Sequence, residues 1–284
     1  MSSLWKGWNK VFEDLNALQS RKLSEFTFVA FDAETTGLDA WAHRVVEVGA
    51  VRFDQGGLRD TYQQLVNPGC AIPQAACAIH GITDAMVAGS PALSSVLLRI
   101  IEFFGDSLLV AHNAQFDIGF FDTVFRATAT PPLPNPVLCT RELARGLFPG
   151  LPNYKLVTLV RRLKIPASRH HRALADACSC AEILRKCINH KDPSWNMILR
   201  ELLIFHGPLF RFGQAARTRE VIEQAMNAGT SVQIEYRDAD GTYTLREIIP
   251  LSIEENVRAT KVIAFCHLRK ENRTFRLDRI ARIL

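Results

Sequence analysis

The chain has 284 residues, enough for one sizeable domain and a smaller one. Its 48% hydrophobic and 22% charged content fit an ordinary globular protein and exclude a disordered or fibrous chain. A net charge of +5 permits a nucleic-acid partner without demanding one.

Seven cysteines without a C-x-x-C pair argue against a disulfide framework and for a reducing, cytoplasmic compartment. No apolar run approaches the length that spans a bilayer, so no membrane partner is expected. Residues 1–23, opening "MSSLWKGWNKVFEDLN", lack an apolar core and a small-residue cleavage site, and read as an N-terminal extension rather than a secretory leader.

Phe26–Phe31 is expected to form a short buried strand ending in a polar turn. Arg44–Phe53 and Thr61–Pro68 read as two further strands, separated by the turn signal "DQGG". Leu93, Val96, Leu97, Ile100, Ile101 and Phe104 recur at helical spacing up to Gly105. "SLLVAHN" then predicts a fourth strand, "FDIGFFDTVFRAT" a helix, and "LVTLVRRLKI" and "ALADACSCAEILRKCIN" two more. A strand meander followed by alternating helices and a strand describes an α/β layer with a mixed sheet, placed at residues 24–190.

Residues 191–217 read as a linker with an amphipathic portion around Ile198–Ile204. From 218 to 284 a second domain is expected: a helix closed by Gly229, a hairpin around "DADG", and two more strands, the first apolar on both faces as in a small closed barrel. Eight Lys or Arg against Glu271 and Asp278 lie between Asn256 and Leu284, so the basic surface sits at this end.

Four carboxylates of the first domain stand in telling places. Asp32 ends a buried strand and Glu34 follows on the same face if extended. Asp117 follows another strand, after "AHNAQF". Asp176 lies between alanines within a predicted helix, where neither propensity nor burial favours a carboxylate. Singly, Asp32 reads as a cap and Asp117 as a first-turn acid facing the helix dipole. Together they would repel one another unless a cation neutralised them, and all-oxygen ligands select Mg²⁺ or Mn²⁺. Two such ions can clamp the attacking and leaving oxygens of a phosphodiester displacement.

"FDAETTG", "HNAQFD" and "HRALADA" resemble, in order and spacing, the three motifs of the DnaQ-like 3′→5′ exonucleases of the DEDD superfamily. The resemblance implies an RNase H-like mixed sheet flanked by helices, with Asp32, Glu34, Asp117 and Asp176 as ligands of two Mg²⁺ or Mn²⁺ ions. A histidine five residues before the last aspartate, His171, places the chain with the histidine (DEDDh) branch and implies a general base, suited by an ordinary pKa of about 6.5. His170 is offset by one residue and is expected to point elsewhere. Zinc is disfavoured, because Cys178 and Cys180 lie on different faces of the predicted helix. Cys180 and Cys187 instead share an apolar stripe.

The resemblance further implies that Thr35, Thr36 and Leu38 meet the terminal nucleotide, that His80 and Ile82 pack on its sugar and base, and that Asn113 and Phe116 line the opposite wall. The implied reaction releases nucleoside 5′-monophosphates from single-stranded or 3′-overhanging DNA or RNA. The motifs leave the choice of nucleic acid open. A homodimer is compatible with the sequence.

"VQIEYRDADGTYTLREIIPL" followed by "VIAFCHLRKENRTFRLDRIARI" is similar to the WYL domain of bacterial regulators, a small Sm/SH3-like β-barrel, although Thr260-Lys261-Val262 replace the Trp-Tyr-Leu of its name. This implies a cationic pocket for nucleic acid or another anion, formed from Tyr236, Arg246, His267, Arg269, Arg273, Arg276 and Arg279. Removing residues 218–284 is then expected to weaken binding or processivity while sparing hydrolysis of short strands. The alternative is a regulator that grips nucleic-acid ends, with the nuclease fold as a binding platform.

Overall fold

The computed structural model describes residues 15–166, 171–207, 209–238, 242–254 and 260–284. A six-stranded mixed sheet, ordered β3-β2-β1-β4-β5-β6, forms the centre of the first unit. Its strands are β1 (Phe28–Thr35), β2 (Val45–Asp54), β3 (Gly57–Leu65), β4 (Leu108–Ala111), β5 (Pro136–Cys139) and β6 (Phe210–Arg211). The meander β1-β2-β3 is antiparallel, β1, β4 and β5 run parallel, and β6 closes the far edge antiparallel to β5.

Alternation along β1 feeds two separate cores. Phe28 and Ala30 pack on one face, and Val29, Phe31 and Ala33 on the other. Asp32 and Glu34 continue the first of these faces, at the point where the apolar filling gives way to carboxylates.

The helices, in chain order, are α1 (Leu15–Ser20), α2 (Gln74–His80), α3 (Asp84–Val87), α4 (Leu93–Phe104), α5 (Gln115–Ala127), α6 (Thr140–Leu147), α7 (Leu156–Arg162), α8 (Ala173–Lys191), α9 (Leu199–His206) and α10 (Gln214–Ala228). Helices α4 and α5 cover the Phe31 face, and α4 buries the six apolar residues that mark its period and stops at Gly105, whose φ is 50°. On the opposite face α8 buries Ala177, Cys180, Ala181, Leu184 and Cys187. The cysteines are packing residues, as the predicted stripe requires.

Two sequence expectations change here. Residues 191–217 do not act as a free linker: Trp195, Leu199 and Leu202 are buried in one core, while Phe210 and Phe212 enter the other. Part of the N-terminal extension joins them, since Leu18 and Leu23 are buried and the Leu23 and Ser24 N–H groups donate to the carbonyls of Met197 and Trp195, both at 2.9 Å. Helix α2 is capped by Pro73 and by the left-handed Gly81.

The second unit is an antiparallel five-stranded sheet ordered β10-β9-β8-β7-β11. Its strands are β7 (Val232–Arg237), β8 (Tyr243–Glu254), β9 (Lys261–Cys266), β10 (Glu271–Arg276) and β11 (Ile280–Ile283). Ile222 and Ala225 of α10 pack into its core. Strand β9 buries Val262, Ala264 and Cys266, with half-buried residues between them. The expected apolar burial on both faces is therefore replaced by alternation, and β10 and β11 remain edges among the described residues.

Candidate active site

Asp32, Glu34 and Asp176 converge so that one carboxylate oxygen from each lies within 4.8 Å of the others. Strand β1 supplies the first two from adjacent same-face positions, and α8 brings Asp176 down onto them. That approach depends on Gly49, the β2 partner of Asp32. A Cβ there would lie 2.1 Å from the Leu174 nitrogen and 2.2 Å from the Ala173 carbonyl carbon. No larger residue allows α8 to reach the sheet at this point.

Asp176 occupies the first turn of α8, not its middle as the sequence suggests, so the helix dipole favours its charge. The His171 N–H donates to Asp176 Oδ2 at 3.1 Å, with His171 in the left-handed region at φ 63°. The His171 side chain is exposed beside this turn, and His170 lies outside the described residues.

Asp117 completes the acidic wall from below. It is 2% exposed, sits in the first turn of α5, and its Oδ1 accepts the Ala33 N–H at 3.0 Å. The crowding shows in the titration of the group. Burial, then Asp117, Glu34 and Asp176, pushes the Asp32 carboxyl well above its ordinary range. Burial raises Asp117 too, against the pull of the Ala33 N–H. Glu34 rises to about 7 through burial and the neighbouring Asp176 and Glu47. Carboxylates held this close and this dry stay ionised together only with a cation among them.

The donor set is all oxygen, which fits Mg²⁺ or Mn²⁺ and not zinc. Three of the four donors, from β1 and the first turn of α8, come within 4.8 Å of one another. The residues present therefore fit the metal that the motifs imply.

Glu47 is a site residue that sequence reasoning misses. It pairs with Glu34 across β1 and β2, is fully buried, and forms a bidentate ion pair with Arg172 (Oε1–Nη2 2.5 Å). The Ala173 N–H (3.0 Å) and Gln63 Nε2 (2.8 Å) also donate to it. Burial alone would raise its pKa, but Arg172, Ala173 and Gln63 together hold it below the usual range. Glu47 thus stays charged as an anchor for the N-terminus of α8 rather than adding a further proton to the metal site. The only sequence signal is an acid inside the otherwise apolar "VVEVGAV".

The expected nucleotide contacts divide. Leu38 is 59% exposed, and Phe116 is half-buried against Phe120, with ring centroids 5.1 Å apart. Asn113, at φ 66°, accepts a hydrogen bond from Arg141 at 2.9 Å. Thr35 Oγ1 donates to the Gly37 carbonyl at 2.7 Å. Thr36 is an internal turn residue: its N–H donates to the Arg44 carbonyl (2.8 Å) and its hydroxyl accepts the Arg44 N–H (3.0 Å).

His80 and Ile82 are corrected as well. The left-handed Gly81 folds the chain inward, so Ile82 is fully buried against Val46, Ile72 and Val87 and offers no surface to a base. His80 is buried too, its Nδ1 accepting the Ile82 N–H at 3.0 Å, and burial lowers its pKa. His112 of "AHN" is likewise structural. It bridges Thr140 (2.9 Å) and the Tyr154 carbonyl (3.0 Å), and burial, aided by Arg141, depresses it to about 4.

In the second unit Tyr236, Arg246, Arg269, Arg273 and Arg279 line one pocket of about 250 Å³, together with Asp238. Arg246 pairs with Asp238 at 3.5 Å and Arg273 with Glu271 at 2.9 Å. His267 and Arg276 are not among the residues that line it.

A cluster of carboxylates on an RNase H-like sheet agrees with the families this chain matches. The RNase_T family model, described as Exonuclease, matches residues 29–184. The chain belongs to this exonuclease family. Residues 217–283 match the WYL domain model.

The DNA polymerase III PolC-type of Oceanobacillus iheyensis is 41% identical over 168 residues, 59% of this chain but 12% of that protein. The PolC-type polymerase of Clostridium perfringens is 40% identical over 158 residues, 56% of this chain and 11% of its own. The chain thus spans about an eighth of the length of these relatives.

Among solved structures, Exonuclease X in complex with 5′ overhanging duplex DNA is 32% identical at TM-score 0.50, covering 62% of this chain and 98% of that one. Exonuclease I shares the fold at 15% identity and TM-score 0.58, and its match covers 91% of this chain and 64% of that one. Among the described residues no helix is long and apolar enough to cross a membrane.

Proposed function

We propose that the chain hydrolyses nucleic acid from its 3′ end, releasing nucleoside 5′-monophosphates, with two divalent cations held by Asp32, Glu34, Asp117 and Asp176. The convergence of three carboxylates within 4.8 Å over a buried fourth carries this reading. When bound, Mg²⁺ or Mn²⁺ supplies charge neutralisation for the phosphodiester and activation of the attacking water.

The chain's own residues do the rest. Glu47 and Arg172 fix the turn that carries Asp176, which keeps the ligand oxygens in place without reorganisation during the reaction. The His171 imidazole, exposed beside Asp176, takes the proton from the attacking water. Leu38 and Phe116 offer apolar surface to the terminal base, which suits recognition by stacking rather than by base identity.

Arg141 favours a polyanionic substrate. It is half-buried, bonds only to the Asn113 side chain, and has no carboxylate within ion-pair distance among the described residues. Its neighbours Arg145 and Arg237 share the single carboxylate of Glu142, which leaves a net positive charge there. Burial lowers the Arg141 pKa, a cost that an arriving phosphate offsets. The arginine-lined pocket of the C-terminal unit then holds a more distant part of the strand, or another anion.

The test is a Mg²⁺-dependent assay with single strands of DNA and of RNA, labelled at the 5′ end in one series and at the 3′ end in the other. A shrinking ladder from the 5′ label and immediate mononucleotide release from the 3′ label are expected. Identical behaviour of the wild-type chain and Asp32→Ala/Glu34→Ala would leave only a protein that binds nucleic-acid ends.

A further inference from the structure

We propose that Thr260 and Arg219 of the C-terminal unit are positioning residues for the nuclease site, acting through the loop Gly37–His43; the proposal rests on the nuclease reading above. This loop leaves β1 just past Asp32 and Glu34 and carries the exposed Leu38, which the nuclease reading sets against the terminal base.

Its stem is closed by the Thr36 N–H on the Arg44 carbonyl at 2.8 Å. Its centre is Asp39, 4% exposed, whose carboxylate needs partners because burial removes water from it. One oxygen accepts the Trp41 N–H within the loop at 2.8 Å. The other accepts the Thr260 hydroxyl, 221 residues away, at 3.2 Å. The Asp39 carbonyl accepts the Ala42 and His43 N–H groups at 3.2 and 2.9 Å, so this one residue organises the whole loop.

A second contact holds the same loop independently. The Trp41 ring has the Arg126 guanidinium of α5 at 5.2 Å from its centroid and that of Arg219 at 4.6 Å. Arg219 lies on α10, the helix that packs Ile222 and Ala225 into the C-terminal core. The Thr260 carbonyl accepts the Leu277 N–H at 3.0 Å, which ties the contact to the segment that carries Arg279 of the arginine-lined pocket.

The C-terminal unit is therefore part of the nuclease site's wall, and its support reaches every substrate, short or long. The proposal thus differs from the sequence-based expectation that removing residues 218–284 spares hydrolysis of short strands. Without the Thr260 hydroxyl, Asp39 loses one of its two side-chain partners and Leu38 loses its fixed place over the terminal nucleotide.

The experiment uses the full-length chain as Thr260→Val, Thr260→Ser and Arg219→Gln, with a trinucleotide as substrate and hydrogen exchange at the Trp41, Ala42 and His43 amides. Thr260→Val is expected to lower kcat/KM by about tenfold, chiefly through KM, and to speed exchange at those amides. Thr260→Ser restores both, which a loss of general stability would not, and Arg219→Gln shows a smaller shift of the same sign. An active Thr260→Val chain with wild-type kcat/KM and wild-type exchange would overturn the proposal, as would a folded Thr260→Ser chain that restores neither. A wild-type chain without hydrolysis overturns the nuclease reading itself and leaves nothing to be positioned.

Discussion

The acid wall of the first unit and the arginine-lined pocket of the second differ in sign, and also in how their charge is settled. At the acid wall, Asp32, Glu34 and Asp117 are all driven toward protonation by burial and by neighbouring carboxylates, opposed by the backbone N–H groups of Ala33 and Asp117 and by Arg172. In the pocket, Arg246 and Arg273 already have Asp238 and Glu271, while Arg269 has no ion-pair partner among the described residues. One site is thus incomplete without a small, hard cation at a fixed point. The other is a set of partly answered charges that accepts an anion without requiring one. The proposed function assigns chemistry to the first and affinity to the second.

The sharpest separation comes from removing ligands. Asp32→Asn and Asp176→Asn are expected to cut hydrolysis by at least about a thousandfold while leaving strand affinity within about threefold. A parallel fall in both would merge the two roles.

Next in size is Gly49→Ala, which forces the first turn of α8 off the sheet. It is expected to cost about 2–3 kcal/mol in chemical denaturation and to lower activity through displacement of Asp176. A fully stable, fully active Gly49→Ala chain would show that the close approach is not what places the ligand.

Arg269→Ala and Arg273→Ala act on the other side of the comparison. Each is expected to weaken single-strand binding by about tenfold and to reduce the slope of log affinity against log salt by about 1, with turnover of bound substrate preserved. An unchanged salt slope would remove nucleic acid from the pocket.

The smallest effect concerns pH. Glu34 and Asp32 have folded pKa values above their unfolded ones, so the metal-free fold binds more protons than the unfolded chain between about 4.5 and 7 for Glu34. Stability is then full below the unfolded pKa and is lost as pH rises through the folded one. Glu34→Gln is expected to stabilise the metal-free chain by about 1 kcal/mol at pH 8 and to change nothing at pH 4. Thermal melts with EDTA at both values check this, and equal melting shifts at pH 4 and 8 would contradict it.

The four carboxylates are legible in the sequence because each lies in a short local motif, where a strand end or a helix start sets its direction. What holds them is not. Gly49 and Glu47 lie in a strand that reads simply as apolar, and their meaning comes from the register that sets them opposite Asp32 and Glu34. Trp195, Phe210 and Phe212 read as linker because β6 has only two residues and its pairing with β5 spans the sequence from Pro136 to Arg211.

Ile82 and Thr36 fail for a related reason. A turn residue's direction depends on one left-handed glycine or one carbonyl partner that composition does not reveal. Of the residues expected in the C-terminal pocket, Tyr236, Arg246, Arg269, Arg273 and Arg279 line one cavity, whereas His267 and Arg276 do not.

The central claim is that the acid wall is a divalent-cation site. Manganese binding followed by electron paramagnetic resonance at pH 7.5 tests it directly, on the wild-type chain and on Asp32→Asn/Asp176→Asn. Saturable binding by the wild type, lost in the double variant and displaced by excess Mg²⁺, is the expected result. Equal binding by both chains, or none by either, would contradict it.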